Sequence, residues 1–304
     1  MGSEMCIRDS PMTELLQQTV SGLTTGLVYA ALALAIALVF QGTGTLNFAQ
    51  GEFATLAAFV SFALSSAGLS WWLIVPVLVV LSFVFGAGVE RLLVRPVEGS
   101  GPLALLTVTA ALLLGTNAVT ALIWGTDVRS MPSPFGDAVY HVGALTFTAQ
   151  ALGGGALVVL AMVVCGLVFR FTPLGLRLRA VADNPESAKL LGISTGVMLA
   201  VGWGIAAAVG AVAGLVAAPT LGLSPELMTN PLLLALAAAT LGGFSSRLGA
   251  VVGGLLIGVL SNLASRYVPG IGGDLQLVVP FAVIFLVLLV RPQGLFGRAS
   301  TVRA

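Results

Sequence analysis

Long apolar runs decide what this chain can become. They fall at 22–40, 46–67, 71–89, 102–124, 151–169, 196–218, 231–243, 248–263 and 275–290. Most approach the roughly 20 residues that an α-helix needs to cross a bilayer. The charge content agrees: 8% of residues are charged and 58% hydrophobic, with a mean hydropathy of +1.06. Ordinary soluble domains are roughly a quarter charged. A soluble globule with this balance would expose large apolar patches, and a disordered chain is excluded by the same numbers. The expected fold class is an all-α polytopic membrane protein of about 8–10 transmembrane helices.

Two of the runs, 231–243 and 248–263, are short for a full span and flank Gly242-Gly243-Phe244-Ser245-Ser246-Arg247. The stretch 41–55 has a similar character, with Gln41, Thr43, Thr45, Asn47, Gln50, Glu52 and Thr55 set in apolar sequence. Short, interrupted segments in each half of a chain point to broken helices and an inverted internal repeat around a transport path. Gly202, Ala206, Gly210, Gly214 and Ala218 recur every fourth residue, as do Gly249, Gly253 or Gly254, and Gly258. Such stripes let helix backbones approach closely.

The inventory of reactive residues is short. His141 is the only histidine, Lys189 the only lysine, and Cys6 and Cys165 the only cysteines. That excludes a disulfide framework and multi-His metal sites. No G-x-x-x-x-G-K-[ST] or G-x-S-x-G occurs. We therefore expect no catalytic residues, no metal, no cofactor and no enzyme activity. A net charge of +1 with no basic run excludes a nucleic-acid partner.

Residues 1–11, MGSEMCIRDSP, are polar and unlike the apolar sequence after them. They read as a non-native leader, leaving 12–304 as one transmembrane domain. If the loop 170–195 is cytoplasmic, alternation puts ten Lys/Arg inside and only Arg129 and Arg266 outside. This bias sets the orientation, with the 125–150 loop outside and the C-terminus inside. Within 170–195, Asn184 is a helix N-cap, Pro185 fits the first helical position and Gly192 the stop, with Ala188, Leu190 and Leu191 as apolar contacts. A capped helix on that face, flanked by Arg177 and Arg179, suits docking. Glu52 has no Lys or Arg between Arg8 and Arg91 to pair with. A lone carboxylate at membrane depth either faces a cavity or is braced by hydrogen bonds. Asn47, Gly51 and Thr55, four apart, are expected on one helix face.

Leu46-Asn47-Phe48-Ala49-Gln50-Gly51-Glu52-Phe53 resembles the N-[FLM]-A-[HQ]-G-E signature of LivH-type permeases, the membrane subunits of branched-chain amino-acid ABC importers. Gly26 to Ala33 is similar to the family's first helix, and Gly175 to Ile193 to its ATPase-contacting loop. Leu241 to Gly254 resembles its L-G-G-x-G-S-x-x-G-A-x-x-G-G segment, and Arg291 to Gly297 its terminal R-P-x-G-L-F-G. The chain departs from the family pattern at Ser245 and Arg247, and position 50 is Gln rather than His.

The resemblance implies one permease domain over 12–304 in the cell inner membrane, translocating branched-chain or related hydrophobic amino acids. The implied partners are a second homologous permease subunit, two ATP-binding cassette ATPases that hydrolyse the ATP, and a periplasmic or lipid-anchored substrate-binding protein. The substrate pathway is expected at Asn47, Gln50, Glu52, Gly242, Gly243 and Ser245. ATPase coupling is expected at Arg177, Arg179, Asn184, Glu186, Ala188 and Gly192. Urea and short-chain amide importers share these signatures and are the alternative cargo class. An ion-coupled secondary transporter with Glu52 as its proton site is the alternative of another class.

Overall fold

The computed structural model describes residues 11–267, 278–291 and 293–297. The leader at 1–10 and the tail arginines Arg298 and Arg303 lie outside the described residues. The described chain is a helical bundle with one two-stranded hairpin. Its helices are α1 (Pro11–Thr43), α2 (Gln50–Ser66), α3 (Trp71–Val89), α4 (Pro102–Trp124), α5 (Ala149–Phe171), α6 (Pro173–Asp183), α7 (Pro185–Leu190), α8 (Thr195–Leu221), α9 (Thr229–Gly242), α10 (Arg247–Tyr267) and α11 (Val278–Val290). Strands β1 (Val139–Val142) and β2 (Leu145–Thr148) pair antiparallel between α4 and α5. Every apolar run read from sequence coincides with one of these helices over most of its length. The six segments 12–43, 71–100, 102–124, 149–171, 195–221 and 247–267 are long and apolar enough to cross a membrane. The chain is a multi-pass membrane protein.

Local chemistry explains where helices stop. Beyond α3 the chain continues through a π-turn, Glu90–Val94, and a 3-10 turn, Arg95–Ser100. Pro96 has no N–H to donate, so regular i→i−4 bonding cannot pass through it. Thr172 caps α6 by accepting from Gly175 N–H at 3.1 Å. The sequence pattern reveals neither α6 nor the hairpin; each is too short to leave an apolar run of span length.

α1 and α8 form the centre. Their most apolar windows are 72% and 78% buried, against 11% for α4. α1 packs along α10 through its small residues: a Cβ on Gly258 would strike the backbone of Gly26 and Gly22, and one on Gly254 the backbone of Ala30. On α8, Gly214 lies against the Ala54 backbone of α2 and Gly204 against Phe83 of α3. The small-residue stripes thus serve backbone contact in a bundle.

The expected interruption at 41–55 is real, but Gly242–Arg247 is a turn between α9 and α10, which run back along each other from Gly242 against Gly249 to Ala238 against Gly253, and the second break precedes α9. At the foot of α1, Gly42 meets Leu199 near the start of α8, yet Gln50, eight residues later, reaches Ala206 and Gly210. At 1.5 Å per residue along α8, residues 44–49 climb back by about 10 Å or more. α2 therefore begins at mid-depth. Loop 222–228 makes the matching excursion from the other end, so that Met228 and Leu232 at the start of α9 meet Gly51. Two short helices start face to face inside the bundle.

One end of the bundle carries the hairpin, where Gln17 of α1 bonds Thr146 of β2 and Arg129 bridges Leu223. The other end carries α6, α7 and residues 293–297.

Candidate transport pathway and docking helix

The break between α1 and α2 is held by its own polar side chains. Asn47 Oδ1 accepts from Ala49 N–H at 3.0 Å, and its Nδ2 donates to Gln50 Oε1 at 3.3 Å. Gln50 Nε2 donates to the Ala206 carbonyl of α8 at 3.0 Å. Thr109 of α4 donates to the Leu46 carbonyl at 3.3 Å. Non-helical backbone at this depth needs such partners because lipid offers none. Asn47 lies in the turn before α2, where its side chain holds the Ala49 N–H, so it does not share a helix face with Gly51 and Thr55.

Glu52 is 4% exposed. Its carboxylate accepts from Asn117 Nδ2 at 3.2 Å, and the same amide donates to the Pro225 carbonyl at 3.0 Å. No Lys, Arg or His among the described residues forms an ion pair with it. Sequence reasoning misses Asn117, although it is the single carboxamide within 102–124 and signals a partner at depth. Asn47, Gln50 and Glu52 are closed from solvent; Asn47 and Gln50 brace the interrupted helix, and Glu52 is held by Asn117.

An open cavity of about 1000 Å³ lies at the α6–α7 end, lined by Gln41, Arg179, Asp183, Ser245, Ser246 and Arg247 among others. Arg247 rests over the Phe169 ring at 4.5 Å. Of the three residues expected in the second half of the pathway, Ser245 reaches this cavity, and Gly242 and Gly243 do not. A Cβ on Gly242 would collide with the Gly249 carbonyl, so α9 and α10 touch backbone to backbone there. Gly243 turns the chain at φ +91°, a conformation open to glycine. The last carbonyls of α9 are satisfied by the terminal segment: Leu295 N–H donates to Leu241 O at 2.8 Å and Phe296 N–H to Gly242 O at 3.1 Å. In this conformation the two glycines serve as packing and turn residues.

The short capped helix α7 forms as the sequence predicts. Asn184 Oδ1 accepts from Ser187 N–H at 2.9 Å, and Pro185 occupies the first turn. Gly192 takes φ +77°, while Gly192 N–H bonds Lys189 O at 3.0 Å and Ile193 N–H bonds Ala188 O at 3.0 Å. This is a Schellman closure. Arg177 and Glu186 are exposed; Arg179 is half-buried at the cavity and donates to Gly175 O at 3.3 Å. Ala188 faces inward and is 1% exposed, so it offers no surface to another protein. The outward apolar residues are Leu190 and Leu191, 90% and 77% exposed.

Comparison with known proteins agrees with this architecture. A family model described as "Branched-chain amino acid transport system / permease component" matches residues 18–288. The chain is 32% identical over 297 residues to the high-affinity branched-chain amino acid transport system permease protein LivH of Salmonella typhimurium, covering 93% of this chain and 96% of that protein. It is 30% identical over 303 residues to BraD of Pseudomonas aeruginosa, of the same description, covering 93% and 96%. A nucleoside ABC transporter permease, NupC of Lactococcus lactis, is 31% identical over 134 residues, covering 43% of this chain and 42% of its own. No solved structure matches. With interrupted helices at its centre and the family pattern running through nearly its whole described length, the chain belongs to the permease-component family of branched-chain amino acid transport systems.

Proposed function

We propose that the chain is the inner-membrane permease subunit of an ATP-driven importer of branched-chain amino acids. It works beside a second homologous permease subunit. Of two separate ATPase subunits, one binds at α7 and the other at the matching surface of the second permease, and a substrate-binding protein delivers cargo at the hairpin end. The α6–α7 end faces the cytoplasm, because Arg91, Arg95, Arg170, Arg177, Arg179, Lys189, Arg247 and Arg291 gather there and cytoplasmic loops favour Lys and Arg.

The observation that carries the reading is α7. A six-residue helix capped at both ends presents two leucines to water, an arrangement that costs free energy unless a partner covers them. The chain's sequence has no nucleotide-binding loop, so energy enters from a partner at this surface. Asn47, Gln50 and Glu52 stand on the cargo's route, which ends in the Ser245–Arg247 cavity. The permease makes and breaks no bonds. It alternates between packings that a docked ATPase and a loaded binding protein stabilise differently.

Reconstitution tests this. The chain is co-expressed with its ATPases and second permease, placed in proteoliposomes, and given leucine-loaded binding protein. Leucine should enter only with ATP, and isoleucine and valine should compete. Uptake driven by an imposed proton gradient without ATP would overturn the proposal in favour of ion coupling.

A further inference from the structure

At the start of α2 several oxygen groups gather, and no Lys, Arg or His among the described residues pairs with the carboxylate there. Glu52 is buried, its one hydrogen-bond donor is the neutral amide of Asn117, and that amide also holds the Pro225 carbonyl. The other charge acting on Glu52 is the carboxylate of Glu226, exposed on the same loop, 222–228. Because Glu52 is buried, repulsion from the exposed Glu226 is screened less than between two exposed carboxylates.

A second observation is independent of the carboxylates. Thr55 is 0% exposed and its hydroxyl has no hydrogen-bond partner. Four residues after Gly51, it lies on the same face of α2. Gly51 meets the Met228 carbonyl and Leu232, so that face turns toward the end of loop 222–228. Glu52 turns toward Asn117 and Pro225, at the start of that loop. The idle hydroxyl and the carboxylate therefore flank one loop from neighbouring positions. Buried hydroxyls without partners are rare in folded proteins, and by helix periodicity this one projects between Gly51 and Glu52.

The geometry points to an ammonium subsite: Glu52, Glu226, the Pro225 carbonyl and the Thr55 hydroxyl receive the α-ammonium group of an amino acid in transit. A primary ammonium brings one positive charge and three donors. That complements a set made of oxygens and two negative charges. Gly222, at φ +82°, joins the loop to α8 at a residue whose backbone is free to turn. In the conformation described here the loop covers Glu52, and cargo enters as the loop withdraws. This inference rests on the amino-acid cargo proposed above and assigns which part of the cargo the buried carboxylate recognises.

Charge and shape separate this from bracing. Glu52→Gln keeps size and hydrogen-bonding capacity but removes charge; Glu52→Asp keeps charge on a shorter arm. Radiolabelled leucine uptake is measured in proteoliposomes at saturating loaded binding protein and normalised to assembled complex. The expected result is at least a tenfold loss for Glu52→Gln and a smaller loss for Glu52→Asp. Glu226→Gln, on an exposed loop where folding is not at stake, should lose three- to tenfold. Glu52→Gln or Glu226→Gln within twofold of wild type would overturn the subsite while leaving leucine import intact. A wild-type complex that carries urea or an amide and no leucine would instead overturn the cargo reading and the subsite with it. Glu52→Asp falling below Glu52→Gln would assign Glu52 to bracing.

Discussion

Gly214 and Gly115 are both glycines in apolar helices, but they have opposite surroundings. A Cβ on Gly214 would run into the Ala54 carbonyl of α2, whereas nothing lies within 4 Å of one on Gly115. Gly214→Ala should therefore destabilise the protein by about 1–3 kcal/mol, the usual cost of overpacking. Gly115→Ala should stay within about 0.5 kcal/mol of the parent. Denaturation midpoints of the detergent-solubilised chain check both, and equal effects would contradict the close approach of α2 and α8. The same contrast governs how far residue roles can be read from sequence. Glu52 is conspicuous because a carboxylate stands out in apolar sequence. Its partner Asn117, 65 positions away, is not, because nothing local links two distant polar residues. Gly242 has the sequence character of pathway lining, and only the packing of α9 on α10 shows that its missing side chain makes room for backbone.

α7 shows how an element can be legible while its orientation is not. The cap at Asn184, the proline after it and the glycine stop are local signals, and each is realised in the fold. Which side faces out depends on how the loop sits on α8, and Ala188 turns inward. The docking prediction therefore moves to the exposed pair. Leu190→Ser combined with Leu191→Ser should leave the permease inserted at normal yield and cut ATPase co-purification at least tenfold. Ala188→Trp should lower the yield of folded permease itself, because the indole has no room inside the loop. Asn184→Ala should weaken the helix by about 1 kcal/mol through loss of its cap and reduce co-purification less than the leucine pair does. Undiminished ATPase binding by the leucine double variant would remove α7 from the interface.

For the whole molecule the decisive question is sidedness. Ser187 on α7 and His141 on β1 are both exposed and lie at opposite ends of the bundle. In a cysteine-free background, Ser187→Cys should react with an impermeant maleimide only from the cytoplasmic side, and His141→Cys only from the outside. Labelling of both from one side would break the proposed orientation. The membrane class, the positions of the long helices, the interruption at 41–55 and the capped loop helix are all legible along the chain, whereas the break at 222–228 is not. They follow from hydrophobicity, capping and charge, which act within a few residues. Other features exist only once the bundle has closed: α2 and α9 starting face to face at mid-depth, Glu52 held by Asn117, Gln50 anchored to α8, and residues 295 and 296 closing the end of α9. Each of these joins segments far apart in sequence, and only the close packing of backbones at their glycines fixes which polar groups come within hydrogen-bonding reach.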